Sequence, residues 1–171
     1  MKDGNPMQSI YISKVVINIG SGNEEKKADA AKKLLELITE RKPTDTISKN
    51  RRPAFKITRG QKIGAFVTLR KDAARNALKR LLDAVDNRVK LTGVTDNSLS
   101  FGIKEYIDIR GIKYDPQIGM LGMNVNASLR RKGSRVAERK RMAAKIPKRH
   151  SRIGPELVKE YMNKEFNVEF V

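Results

Sequence analysis

The chain has 171 residues, 39% of them hydrophobic, which is enough for one domain with a core; 5% aromatics and no Trp make that core aliphatic. Lys and Arg number 37 against 19 Asp and Glu, a formal charge of +18. Enzymes of small-molecule metabolism rarely carry such an excess, whereas nucleic acid or an anionic membrane surface matches it. The absence of Cys excludes disulfides, thiolate catalysis and zinc ribbons and fits a reducing compartment, and a single His, His150, excludes a multi-His metal site. No apolar run approaches the roughly 18–20 residues that span a bilayer, and the N-terminal Met1–Lys14 lacks the apolar stretch of a signal peptide. Composition therefore points to a cytoplasmic nucleic-acid binder with no cofactor and no membrane partner.

Tyr11–Ile19 is β-rich, with Tyr11, Val15, Ile17 and Ile19 on one parity and Lys14 and Asn18 on the other. Gly20-Ser21-Gly22 ends this strand, and Ser21 with Glu24 three residues later has the spacing of a capping box. Ala31, Leu34, Leu35 and Ile38 then recur at helical spacing until Pro43. The glycine turn between strand and helix has the outline of a phosphate-binding loop. However, Glu25 stands where the dinucleotide pattern needs its third glycine, and Glu24 and Glu25 would repel a phosphate.

Lys42–Lys62 reads as a long charged loop. Seven basic residues (Lys42, Lys49, Arg51, Arg52, Lys56, Arg59, Lys62) face a single acid, Asp45, and a solvated surface seldom has so one-sided a charge. Pro53, Phe55 and Gly60 imply a defined path, with Phe55 either stacking on a base or pinning the loop to the core.

Ile63, Ala65, Val67 and Leu69 alternate with Gly64, Phe66, Thr68 and Arg70 as a second strand. Lys62–Leu69 partly matches the signature of an RNA-recognition motif but has Gly and Leu where aromatics are expected, so an ordinary sheet strand explains it as well. Ala74, Ala77, Leu78, Leu81, Leu82 and Val85 form one apolar helical stripe, with Arg75, Lys79 and Arg80 outside it. A polar connection, Leu91–Ser98, leads to a predicted strand over Leu99–Ile109, and alternation from Leu121 to Leu129 predicts another.

From Arg130 to Arg152, eleven basic residues face one acid, Glu138. Arg130, Arg131, Lys132, Arg135, Arg139, Lys140, Arg141, Lys148 and Arg149 are the candidate RNA contacts of this basic arm, and His150 lies among them as a contact rather than a catalyst. Pro155, Leu157, Val158, Tyr161 and Met162 predict a last helix over about 155–166, and Asn167–Val171 a short closing strand.

The elements predict an α+β domain with a mostly antiparallel sheet of about five strands and helices on one face. One unit spans 1–171, with its core at about 10–129, the loop at 42–62 and the arm at 130–152. The other sheet face would carry Asn18, Phe66, Thr68, Arg70, Lys104, Tyr106, Asn124 and Asn126, a polar surface suited to RNA.

Three segments together resemble a known family. They are Lys14–Gly22 (KVVINIGSG); Leu37–Pro43 (LITERKP) running through Phe55–Gly60 (FKITRG) to Ile63-Gly64 and Val67–Arg70 (VTLR); and Phe101–Glu105 (FGIKE) with Tyr114-Asp115 and Gly122-Met123. They are similar to the large-subunit ribosomal protein L-five family over about residues 10–129. The resemblance implies a five-stranded α+β fold and binding to 5S rRNA and large-subunit rRNA in the central protuberance. It implies 5S contacts at Asn18, Phe55 and Thr68, with Arg41 where bacterial members often have glutamine and Arg70 on the same face. It also implies a loop of about Thr46–Arg59 that meets peptidyl-site tRNA through Lys49, Arg51, Arg52, Lys56 and Arg59. The bacterial N-terminal helical extension is missing, and the basic arm is of the archaeal and eukaryotic type. Its implied partner is rRNA of the protuberance or a small-subunit protein across an intersubunit bridge, and neighbouring central-protuberance proteins are further implied partners of the chain. At this level an RNA-binding module outside the ribosome stays open. A nuclease or RNA-modifying enzyme would need a carboxylate cluster, and Glu105, Asp108 and Asp115 are isolated.

Overall fold

The computed structural model describes residues 5–171. Alternation of apolar and polar residues builds one six-stranded antiparallel sheet from β1 (Ile10–Gly20), β2 (Thr44–Ile47), β3 (Lys62–Leu69), β5 (Val94–Thr95), β6 (Ser98–Ile103) and β7 (Met123–Arg131), in the order β2-β3-β1-β7-β6-β5. β4 (Arg88–Val89) and β8 (Glu169–Phe170) form a separate parallel pair. The two longer N-terminal helices, α1 (Glu25–Thr39) and α2 (Lys71–Asp83), cover one sheet face, and α4 (Pro155–Phe166) joins the same core through buried Val158 and Met162. That core is aliphatic, as composition predicts: Val15, Ile17, Leu34, Leu35, Leu69, Leu78, Leu81, Val125 and Leu129 are buried. The basic arm begins at the end of β7 with a six-residue 3-10 turn, Lys132–Ala137, and includes the four-residue helix α3 (Lys148–Ser151).

Four expectations change. First, β1 contains a β-bulge between Ile12 and Lys14, where its register against β7 shifts. An extra residue inverts the alternation beyond it. Ile10 and Ile12 therefore pack against the core, and Tyr11, expected to point inward, is exposed.

Second, Ser21 does not cap α1. Glu24 is the cap residue without a side-chain capping bond, and the Ser21 hydroxyl is buried with no hydrogen-bond partner.

Third, the strand expected over Leu99–Ile109 stops at Ile103. The chain then turns through Tyr106–Asp108, which drops Tyr106 into the core and leaves Ile107 exposed. The Tyr106 hydroxyl accepts the Asp115 N–H at 3.0 Å, giving the buried phenol its polar partner. Tyr106 therefore leaves the set of residues on the open face.

Fourth, Lys42–Lys62 is not a loop throughout. Its first part is the edge strand β2, paired to β3 from Thr44↔Phe66 to Ile47↔Lys62.

Gly64 is fixed by a close approach: a Cβ there would lie 2.3 Å from the Ile19 carbonyl oxygen. β3 runs between β1 and β2 at this point, with Gly64 opposite Gly20 and Thr46, so neither neighbour can move without breaking a ladder.

Candidate nucleic-acid interface

Among the described residues, the helices leave one sheet face without a layer over it. Across its middle run Thr44, Phe66, Asn18, Asn124 and Gly102, each opposite the next; the neighbouring row is Thr68, Val16, Asn126 and Ser100. Asn18 and Thr68 are thus diagonal neighbours, about 7–8 Å apart at Cα by strand geometry. Asn124, Asn126, Ser100 and Gly102 are exposed, and Asn18, Phe66 and Thr68 half-buried. Amides and hydroxyls in ordered rows supply donors and acceptors at strand spacing, and Phe66 adds an apolar ring among them.

Phe55 and Arg41 lie outside these rows. Arg41 is exposed in the short connection between α1 and β2. Phe55 ends a 3-10 turn, Pro53–Phe55, within the hairpin that joins β2 to β3, and its side chain is 71% exposed. It does not pin the hairpin to the core.

The hairpin is held by its own backbone. Ser48 N–H donates to Gln61 O at 2.9 Å and Gly60 N–H to Ser48 O at 2.9 Å, closing the base. Nearer the tip, Arg52 and Ile57 exchange N–H···O bonds of 2.9 and 3.1 Å. Gln61 Nε2 donates to Asn23 O at 3.0 Å, fastening the base to the turn before α1. Lys49, Arg51, Arg52, Lys56 and Arg59 are all exposed on this frame.

The acid in this stretch has a structural partner. Asp45 Oδ1 lies 2.7 Å from Lys32 Nζ, and Lys62 Nζ is 3.8 Å from Oδ2. The ion pair with Lys32 holds the Asp45 carboxyl below its usual range against the opposing effect of desolvation, and the same pairing raises the Lys32 ammonium. Lys62 thus belongs to the hairpin's base, while the cations from Lys49 to Arg59 stand exposed beyond it.

The arm is attached at both ends. At its start Lys132 N–H donates to Ser9 O at 3.2 Å, with Arg131 half-buried in a groove beside Met7, Gln8 and His150, and just past its end Ile153 N–H donates to Asn97 Oδ1 at 2.7 Å. Between them the arm folds on itself, with Ala144 N–H donating to Val136 O at 3.3 Å. Arg135, Arg139, Lys140, Arg141, Lys148 and Arg149 are exposed. Arg152 is paired with Asp96 and so is not a free cation. Arg70 follows β3 as the residue before α2 and lines a cleft with this arm rather than with the hairpin.

Among the described residues no group of His, Asp or Glu has the arrangement of a metal site, and no helix is long and apolar enough to cross a membrane. The chemistry on offer is cationic and hydrogen-bonding, arranged over the open sheet face, the hairpin and the arm.

Residues 5–58 match the family model for ribosomal protein L5, and residues 62–166 match the model for the C-terminus of the same ribosomal family. The chain belongs to the ribosomal L-five family. Among its relatives, the large ribosomal subunit protein uL5 of Methanobrevibacter smithii is 40% identical over 168 residues, covering 98% of each chain. That of Pyrobaculum aerophilum is 46% identical over 147 residues, 85% of this chain and 82% of the relative. That of Archaeoglobus fulgidus is 42% identical over 146 residues, with the same coverage.

This L-five chain is therefore a structural constituent of the large ribosomal subunit and not an enzyme. Family membership also places it on the cytoplasmic ribosome. On the open face, sequence reading missed Tyr11, because nothing in YISKVV marks where a bulge inverts the alternation.

Proposed function

We propose that this L-five chain anchors 5S rRNA in the central protuberance through its open sheet face, and that it works as one unit in which the hairpin and the arm reach other RNAs. The supporting observation is the absence of a covering layer, among the described residues, over the rows Thr44-Phe66-Asn18-Asn124 and Thr68-Val16-Asn126. Ordered amides and hydroxyls on an open sheet read ribose hydroxyls and unpaired base edges, while flanking Lys and Arg neutralise phosphates and position the RNA. Asn18 and Thr68 are the 5S contacts on the face, with Arg41 and Arg70 at its margins; Phe55, which the resemblance groups with them, stands on the hairpin outside these rows.

The hairpin has a different role. Its exposed cations, Lys49, Arg51, Arg52, Lys56 and Arg59, stand on a self-supporting backbone frame, and exposed Phe55 offers a ring for stacking. We assign this tip to peptidyl-site tRNA. The arm meets rRNA: eleven cations against one acid favour a polyanion over a small-subunit protein across the bridge.

Filter binding of purified chain to 5S rRNA across a salt series tests the reading. If about five to eight phosphates are engaged, affinity falls by roughly two to four orders of magnitude between about 50 and 200 mM salt. A nearly flat dependence would overturn the assignment of the cations. Undiminished binding by Asn18→Ala and Thr68→Ala would overturn that of the face.

A further inference from the structure

The β1 bulge brings Tyr11 to the open face, opposite Arg130 of β7. Arg130 follows Asn124, Asn126 and Ser128 on the outward parity of β7, so Tyr11 and Arg130 continue the polar rows toward the arm. There the 3-10 turn after β7 folds over the end of the sheet. Tyr11, Arg70, Arg130, Arg135, Arg139 and Lys140 line one cleft. Five of these are cations, and the single acid in the cleft, Glu138, is ion-paired with Arg130. Arg139 is held in place by its Nε–H, which donates to Met142 O at 2.8 Å.

A carboxylate on a guanidinium presents two oxygens as a phosphate does, and guanidinium binds both in the same forked geometry. Five cations around one carboxylate leave most of the positive charge unneutralised, at the point where the RNA-facing rows run out.

We propose that this cleft is a phosphate-binding site for the RNA on the open face, and that the Glu138 carboxylate occupies the phosphate's place in the free chain. On binding, a backbone phosphate takes over Arg130 and is flanked by Arg135 and Arg139, and Glu138 swings to solvent. The Tyr11 ring then lies under the adjoining nucleotide, where stacking adds to the contact without depending on sequence. The exchange leaves no buried charge unpaired. It also makes the arm a clamp on the RNA that the sheet already holds. The inference rests on the reading that the open face binds 5S rRNA.

The test is filter binding of a 5S rRNA transcript to the full chain, over a salt series, for wild type, Glu138→Gln, Arg139→Ala, Tyr11→Phe, Tyr11→Ala and Asn18→Ala. Removing the competing carboxylate in Glu138→Gln should tighten binding by about three- to tenfold, because Arg130 is then free for phosphate. Arg139→Ala should weaken it and lower the salt slope by about 0.7–0.9, one phosphate's share. Tyr11→Ala should weaken binding by about tenfold while Tyr11→Phe keeps it, as stacking requires.

If Glu138→Gln binds no more tightly than wild type and Arg139→Ala keeps the wild-type slope, the site is refuted. Should Glu138→Gln melt below wild type, the Arg139→Ala slope and the two Tyr11 variants decide alone. Loss of affinity in Asn18→Ala with no response from the cleft variants would refute the cleft and spare the face. No binding by wild type would refute the 5S reading itself.

Discussion

Asn97 and Ile153 exchange two hydrogen bonds: the Asn97 side-chain oxygen accepts the Ile153 N–H at 2.7 Å, and the Asn97 N–H donates to the Ile153 carbonyl at 3.2 Å. The Asn97 carbonyl also accepts the Leu129 N–H at 2.8 Å, so one turn residue links the sheet to the segment that follows the arm. Asn97 has φ +61°, a left-handed conformation that Asn tolerates better than most residues. With Lys132 bonded to Ser9 at the other end, the arm is a closed excursion rather than a free tail. Of its cations, Arg130, Arg135, Arg139 and Lys140 line one cleft with Tyr11.

Asn97→Ala should therefore be costly for a turn position. It leaves the N–H of fully buried Ile153 without its acceptor and puts a Cβ without compensating hydrogen bonds into the left-handed region. Together these cost about 2–4 kcal/mol. Asn97→Asp, which keeps the acceptor, should retain most of the stability. Urea unfolding of both variants measures the difference; equal midpoints would show that the bond contributes nothing.

Gly64→Ala should be the more damaging of two small changes in β3. The added Cβ meets a backbone oxygen of β1 at 2.3 Å, and both flanking ladders resist the shift, so a loss of about 3 kcal/mol or more is expected. Ala65→Gly in the next position removes one buried methyl and a little strand stiffness, costing about 1–2 kcal/mol. A Gly64→Ala variant as stable as wild type in urea would mean that β1 and β3 can separate locally at low cost.

The elements with strong periodicity were legible from residue order. α2 buries Ala74, Leu78, Leu81 and Leu82 as its apolar stripe requires, and β7 alternates buried and exposed residues from Met123 to Ala127, with Ser128 half-buried before buried Leu129. What residue order did not reveal depended on partners distant in sequence. The bulge at Ser13 is a register shift of β1 against β7, a strand far along the chain, and it decides that Tyr11 faces outward. Tyr106 continues an apparent strand pattern, yet its hydroxyl is claimed by Asp115 nine residues on, so the chain leaves the sheet. Lys42–Lys62 reads as loop because β2 carries Thr44, Asp45 and Thr46, and Asp45 becomes a strand residue only when Lys32 of α1 faces it. On the candidate interface, the polar parity of Asn18, Thr68, Asn124 and Asn126 could be read directly, whereas the cleft under the arm could not. Its members come from β1, the residue between β3 and α2, β7, the 3-10 turn and the segment just after it.

The Lys32–Asp45 pair gives the edge strand a pH dependence whose sign follows from the two shifts. Asp45 titrates below its ordinary 3.8 when folded, so its contribution is complete above that value and is lost as pH falls through the lower folded value. Lys32 titrates above 10.5, so its contribution is intact below 10.5 and lost as pH rises beyond. The pair is thus constant across neutral pH. In acid, β2 amides should lose exchange protection before those of β1 in wild type, and Asp45→Asn should show weak β2 protection at every pH. Identical acid profiles for the two proteins would remove the pair from any part in holding β2.

The hairpin and the sheet should separate functionally. The hairpin's frame uses backbone bonds between Ser48, Gly60 and Gln61 and between Arg52 and Ile57, and no hydrogen bond or ion pair to another described residue engages the side chains of Arg51, Arg52 or Lys56. Changing all three to Ala should leave the unfolding midpoint within about 0.5 kcal/mol of wild type, as for exposed positions generally. Affinity for 5S rRNA should stay within a few fold. Large subunits reconstituted with the triple variant should hold peptidyl-site tRNA more weakly, with a salt slope shallower by about 0.7–0.9 for each phosphate that is no longer neutralised. Phe55→Ala should add to that loss at all salt concentrations, since stacking is not screened. If instead the triple variant lost 5S rRNA and kept tRNA, the hairpin would belong to the same RNA surface as Asn18 and Thr68, and the division between sheet and hairpin would fall.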